Sequence, residues 1–413
     1  MSPLVDVAIA GSPVHASLRT PLLYDLFAPL SGVLDALTFL SPVQYASTFA
    51  LGAFCFLAVE TVGQRQSIRG LDPIRIARSL LRFLGGAVAV AGIMLIMSRP
   101  MASLELNDRD LLAVDFHSHT EASHDGRAGF SAERNRDWHQ RSGFNAVYVT
   151  DHRTFDGALE GATRNPTVAG DGTVLLPGVE LRDGDEHLIL IGVDAHRMKI
   201  TSPDWQQAAV AADGGPAPPI LLLSLPGDIA RIPTAEITGA IRVAGIETSD
   251  GSPRGMAQAA LERDSILAVS ALLGVARVSG SDNHGWGRAA PAWSVLRIPG
   301  WRDMTPGQLD IAIRRTILTR GVDAVQVIAR RTAPPPRGGL QTALAGLAVG
   351  AVMLQTMSSR ERASWIGWSW GLCFLSLRRA RKQRNNSDLG RMRQKLRSRR
   401  RRIDDAAAAR AAS

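Results

Sequence analysis

Seven apolar runs of strand length, set between polar stretches of helical length, occupy residues 107 to 331 and restrict this part of the chain to an α/β fold. They are Leu111–Val114, Ala146–Val149, Val174–Leu176, Leu188–Val193, Ile220–Leu223, Ile241–Ile246 and Val275–Val278. Residues 131–141 read as a helix between the first two. The runs lead into side chains that bind metals. The first leads into Asp115, His117 and His119, with His124 following, and the second into Asp151-His152. The third leads into Glu180, His187 opens the fourth, and the last leads into Asp282-Asn283-His284.

Along a strand, residues i and i+2 share a face. Asp115, His117 and His119 are therefore expected to project together, as are Asp282 and His284. The chain has nine His, and only His15, His139 and His196 lie outside these positions. A barrel of parallel strands brings its strand C-termini to one face, where distant residues can meet. Imidazole and carboxylate donors without Cys suit zinc, manganese or iron. The donors outnumber what one tetrahedral ion uses, so two or three divalent metals are expected. Scattered polar loop residues are the bland alternative for any one motif, but not for the whole ordered series.

The flanks differ in character. Charge is absent between Asp35 and Glu60, from 83 to 98, from 338 to 359 and from 363 to 377. A transmembrane helix needs about 20 apolar residues. Spans are expected at about 37–59, 80–98 and 338–359, with 363–377 a short span or an interfacial helix led by Trp365, Trp368 and Trp370. Buried helices of a soluble domain are the alternative. The chain divides into an N-terminal membrane region (1–100), a central domain (101–333), a linker with a second membrane region (334–377) and a tail (378–413). From Arg378 to Arg402 thirteen Lys and Arg meet one acid, Asp388. The net charge of +9 therefore belongs to the tail, which suits anionic lipid headgroups. Lacking aromatic residues for base stacking, it suits nucleic acid less. Two Cys, Cys55 and Cys373, exclude a disulfide framework. Arg65, Arg69, Arg75 and Arg78 and the tail both favour the cytoplasmic side, so with two spans between them the central domain lies outside it. The expected location is a bacterial inner membrane.

Asp-Phe-His-Ser-His-Thr, Thr-Asp-His, Pro-Gly-Val-Glu and Gly-Ser-Asp-Asn-His resemble, in this order, the motifs of the polymerase and histidinol phosphatase (PHP) family over about residues 110 to 330. The resemblance implies a distorted seven-stranded α/β barrel whose di- or trinuclear metal centre hydrolyses phosphate esters through a metal-activated hydroxide. It implies that His117, His119, Glu180 and Asp282 hold one metal and that His124, His152 and His284 hold another, with Glu180 bridging and His187 a further ligand. Asp282 and His284 are the protein's candidate acids for the leaving oxygen. Asp115, Asp151 and Glu247 are expected to orient the ligands, and Arg127, Arg153, Arg182 and Arg288 to hold substrate phosphate. One departure stands out. Leu225 occupies the place where the family carries a metal-binding His. The expected function is a membrane-anchored phosphoesterase acting on a phosphorylated small molecule. The alternatives are hydrolysis of another ester or amide, and a non-catalytic membrane scaffold with a degraded metal site.

Overall fold

The computed structural model describes residues 1–9, 11–63, 73–96, 99–183, 186–198, 216–224, 241–379, 381 and 392. Leu225, Arg65, Arg69 and nearly all of the basic tail lie outside them. The strands are β1 (Leu4–Asp6), β2 (Ala16–Arg19), β3 (Ser103–Leu106), β4 (Leu111–Ser118), β5 (Ala146–Val149), β6 (Val174–Asp183), β7 (Glu186–Ile191), β8 (Ile220–Ser224), β9 (Arg242–Asp250), β10 (Ala276–Gly280), β11 (Ala292–Arg297) and β12 (Val325–Arg330). All seven apolar runs form strands, β4 to β10, and these lie side by side in sequence order. The sheet has ten strands rather than seven, because β11, β12 and β1 extend it beyond β4 in antiparallel pairing.

The sheet curls until β10 lies against β4. Backbone bonds cross this seam: Asp282 N–H donates to His117 O at 2.8 Å and His119 N–H to Asn283 O at 3.2 Å. Inside the curl sit Leu112, Val114, Tyr148, Leu176, Ile189, Ile191, Ile220 and Leu222, all nearly inaccessible. The expected all-parallel order holds for β4–β5–β6 and β8–β9–β10, but β7 runs antiparallel to both neighbours.

Strand β6 also runs past Leu176, where Pro-Gly reads as a strand end. Pro177 is the last residue paired with β5, and Gly178 the first paired with β7. A missing amide N–H costs little at that changeover, and a Cβ at Gly178 would crowd Thr150 and Ile191. This continuation carries Glu180 into position. The helix after β4 spans Ala132–Ser142, capped by the Ser131 side chain and closed by left-handed Gly143.

Within the helices Pro42–Gly63, Pro73–Ile96 and Gly339–Thr356 are three stretches long and apolar enough to cross a membrane: Pro42–Thr61, Pro73–Ile93 and Gly339–Thr356. The first begins at Pro42 rather than residue 37, since Ser41 and Gln44 bond reciprocally and start a new helix there. The Trp segment belongs to a helix over 359–379, which is not among the three. Its Trp368 Nε1 donates to Leu26 O.

A buried charge ties the N-terminal helices to the sheet. Asp35, in the helix Ala28–Thr38, pairs with Arg99 at 2.8 Å and with Arg330 of β12 at 2.9 Å, and accepts from Tyr24 Oη. Removing one member of a buried ion network leaves its partners uncompensated. Asp35→Ala is expected to lower the unfolding free energy of the full chain by about 3–5 kcal/mol, read by denaturant titration in detergent.

Candidate metal centre

Four lone-pair atoms converge at the open end of the curl. His117 Nε2 lies 3.0 Å from His119 Nε2, 3.0 Å from Glu180 Oε2 and 3.5 Å from Asp282 Oδ1. His119 Nε2 lies 3.2 Å from Glu180 Oε2 and 3.3 Å from Asp282 Oδ1. Both imidazoles and Glu180 are almost fully buried. The four residues arrive from three places: the imidazoles from the end of β4 and just beyond, Glu180 from β6, and Asp282 from the loop after β10. Asp282 has φ +44°, an uncommon conformation for a non-glycine residue and one found at functional sites. Gly280 clears the approach, since a Cβ there would strike His117 and Glu247.

A second group lies alongside. Asp125 Oδ2 is 3.3 Å from His152 Nε2 and 3.2 Å from His284 Nε2, and His284 stacks on His119 with centroids 3.9 Å apart. His152 Nδ1 reaches Glu180 Oε2 at 3.4 Å, so Glu180 touches both groups. His187 Nδ1 bonds the other oxygen of Glu180. Among the described residues, the trios His117–His119–Glu180, His119–His152–His284, His124–Asp125–His152 and His117–Glu247–Asp250 each bring one ligand atom per residue within 4.8 Å of one another.

This donor set fits a metal. Lone pairs and carboxylates packed at these separations need a cation among them, either a proton or a metal ion. His119 Nδ1 is moreover buried without a hydrogen-bond partner.

The expected residues separate by place. His117, His119, His152, Glu180, His187, Asp282 and His284 come together. His124 joins only at the rim, its side chain 77% exposed and its nearest carboxylate oxygen, on Asp125, 3.9 Å away. Asp115 does not share the cluster face with His117 and His119. The β4–β5 register shifts between Asp115 and Ser118, which resets the alternation. Its carboxylate instead lies 2.7 Å from His139 Nε2 and accepts the N–H groups of His117 and Ser281. Asp151 accepts two hydrogen bonds from Thr120. Glu247 accepts from Ser224 Oγ and faces His117 Nδ1 at 3.1 Å. Arg127 and Arg288 line a neighbouring cavity, whereas Arg153 and Arg182 are exposed at the strand ends.

Four participants escaped sequence reading. Asp125 follows His124, and its adjacency to a candidate ligand was the available signal. Asp250 lies three residues beyond Glu247. His139 sits on a helix, outside every strand-end motif. Trp286, half exposed, carries Arg127 4.8 Å above its ring.

Electrostatics follow from the packing. Burial opposes charge on His117, but Glu247, Glu180 and Asp282 outweigh it and raise its pKa well above 6.5. His119 rises to about 9, its burial overcome by Asp282 and Glu180. Burial also opposes charge on Glu180, but the imidazoles hold its pKa far below the carboxylate range. Asp282 is held at about 2 against its burial, chiefly by His117 and His119. His152 falls to about 4 and His284 falls too, through burial and the neighbouring imidazole charge of His119, despite nearby carboxylates. Burial raises Glu247 and, with the charges of Asp282 and Glu247, Asp250.

No protein-family model matches the chain, and no curated protein matches it. Several solved structures are similar at a distance. PsfC of Pseudomonas syringae is 17% identical, over 60% of this chain and 99% of that one, with a TM-score of 0.37. A two-domain protein of Bacteroides vulgatus, containing a predicted PHP-like metal-dependent phosphoesterase, is 18% identical over 50% and 63%, with a TM-score of 0.30. The lesion-specific endonuclease EndoQ of Pyrococcus furiosus is 13% identical over 60% and 72%, with a TM-score of 0.37.

The raised imidazoles set a pH dependence. A group whose folded pKa exceeds its unfolded value stabilises fully below the unfolded value and ceases to as pH rises through the folded one. Chelator-treated protein is therefore expected to lose thermal stability from pH 6.5 to about 9, the window of His119. His119→Gln should flatten that slope, read as melting temperature against pH.

Proposed function

We propose that this chain is a membrane-anchored, metal-dependent phosphoesterase of the PHP type. The observation that supports it best is the convergence of His117, His119, Glu180 and Asp282 within 3.0–3.5 Å. These four would hold one divalent ion, and His152, His284, Asp125 and the rim residue His124 a second. Glu180 touches both groups, and His187 would add a ligand through its contact with Glu180. Zinc, manganese and iron suit these donors, in two or three sites. When bound, such ions polarise phosphoryl oxygens and bring the pKa of water to about 7.

The chain's own residues supply the rest. His117 is held by Glu247, and Asp115 and His139 hold the β4 end against the 281–284 loop, which orients the donors before any ligand arrives. Burial and the charge of His119 lower the pKa of His284, which favours the neutral imidazole that a metal ligand must be. We assign the proton on the leaving oxygen to water, with Asp282, held anionic against its burial by His117 and His119, as the residue that would position it. Arg127 and Arg288 would meet a substrate phosphate in the neighbouring cavity rather than at the cluster itself.

The three apolar helices support anchoring in a bilayer, and the Trp-led helix over 359–379 supports an interfacial position beside them. With two spans between the basic connection and the tail, the catalytic domain lies on the non-cytoplasmic side of a bacterial inner membrane. The tail would contact anionic lipid headgroups.

Purified full-length protein is expected to carry two or three equivalents of metal and to hydrolyse an aryl phosphate. His117→Ala should lose metal and slow turnover by about 10³-fold, since a metal ion contributes several kcal/mol at the phosphoryl group. Stoichiometric metal without phosphate-ester turnover would transfer the reading to another ester or an amide. A folded protein without metal would leave only the scaffold. A second expectation concerns location: the chain should stay with membranes through alkaline carbonate extraction, and release into the supernatant would contradict anchoring.

A further inference from the structure

Beside the cluster is a cavity of about 270 Å³ lined by Arg127, Arg134, Arg141, Arg288, Asp137 and Trp138, among others. Two of its walls are continuations of segments that carry cluster residues: 127–130 follows Asp125, and 285–288 follows His284. These walls are fastened together. Arg127 N–H donates to His284 O at 2.9 Å, Arg127 Nη1 to Gly285 O at 3.3 Å, and Trp138 Nε1 to Gly287 O at 3.0 Å. Asn283 Oδ1 accepts from the N–H groups of Gly285 and Gly287, at 2.9 Å each. Gly285 has φ +89°, and a Cβ there would strike Phe130 and Arg127, so the tight turn requires glycine. Cavity and cluster are thus built on the same two turns.

Four guanidinium groups share this concavity with one carboxylate, Asp137, which pairs with Arg141 at 2.9 Å. Like charges gathered in a concave site repel, and an anion relieves that repulsion. The pKa of Arg288 shows the crowding: burial lowers it first, then Arg127, Arg99 and Arg141. Guanidinium forks match phosphate oxygens in pairs. Arg141 also borders an open groove of about 970 Å³ with Arg19, Arg99 and Arg360. The lining of that groove includes Arg99 and Ser358, which follow within three residues the helices Pro73–Ile96 and Gly339–Thr356, two of the three that could span a bilayer.

We propose that the arginine cavity is a second anion subsite, so that the substrate carries a further phosphate beyond the ester cleaved at the cluster. This deepens the phosphoesterase reading and rests on it for the identity of the cleaved group. The second phosphate comes from a soluble bisphosphate or from a lipid headgroup presented along the groove.

The test uses the double variant Arg134→Gln/Arg141→Gln in the full chain, with both positions exposed. First, chelator-treated protein is titrated with inorganic phosphate and read by tryptophan fluorescence, Trp138 lining the cavity. Saturable binding that weakens about tenfold in the double variant and recovers in Arg134→Lys/Arg141→Lys supports the subsite. Equal binding by wild type and variant, or none by either, overturns it. Second, metal-loaded protein is given alkanediol bisphosphates and the matching monophosphates, and bilayer nanodiscs with or without a bisphosphate-headgroup lipid. The expected result is a tenfold higher KM for the bisphosphate in the variant, with kcat and monophosphate hydrolysis unchanged. A preference for the soluble compound or for the lipid identifies the source. Equal KM values for mono- and bisphosphates in wild type overturn the proposal. Phosphate binding that behaves as expected without hydrolysis of any ester would keep the subsite and refute the phosphoesterase reading. The double variant should melt at the wild-type temperature; if it does not, the singly substituted Arg134→Gln replaces it in both arms.

Discussion

Everything at the candidate centre depends on the seam where β10 meets β4. A sheet of seven neighbouring strands would otherwise hold its first and last strands far apart. Curling brings them together, and the backbone bonds Asp282–His117 and His119–Asn283 close the gap. Those bonds place the two imidazoles of one strand against the carboxylate and imidazole that follow another. Asp115 reinforces the seam by accepting from Ser281 N–H across it while His139 holds its other oxygen. The curl also buries the cluster, which makes unpaired charge there costly and gives each donor strong influence over its neighbours.

That burial produces opposite consequences for similar groups. Carboxylates outweigh burial at His117 and His119 and drive them toward the protonated form, whereas at His152 and His284 burial, with the charge of His119, outweighs the nearby carboxylates and drives them toward the neutral form. Glu180 stays ionised because it meets imidazoles on several sides, while Asp250 meets other carboxylates and is pushed up. A divalent ion among these donors would replace the protons that the cluster otherwise gathers, so metal binding and proton release are coupled. The left-handed backbone of Asp282 fits this account: a strained conformation is kept where its surroundings leave no alternative.

The helices outside the sheet are not a detached appendage. β1 pairs with β12, Asp35 bridges Arg99 and Arg330, and Gln44 at the start of the first apolar helix donates to Ala333 O. These contacts join the N-terminal helices to β12 and the segment that follows it. Arg141 lines both the arginine cavity and the groove, whose lining also includes Arg99 and Ser358, a few residues beyond two of the apolar helices.

By itself the sequence determined which residues could do chemistry and the kind of frame that carries them. The spacing of apolar runs defined β4 to β10, polar donors followed their ends, and uncharged stretches marked the helices able to cross a bilayer. Period and composition are local properties, so they can be read from neighbours in the chain. Tertiary structure alone decided the rest. Strand β1 finds its partner more than three hundred residues away, and three residues carry no pattern that announces it. Pro177 reads as a stop until β7 supplies the pairing that lets β6 continue. Asp115 has the spacing of a cluster residue, yet a register shift turns it to His139. Asp125 enters the second group because the chain turns at Gly126, where a Cβ would strike the Thr120 carbonyl. In each case the outcome depends on a contact beyond chain neighbours, from a six-residue turn at Gly126 to the pairing of β1 with β12, and the sequence pattern does not announce such contacts.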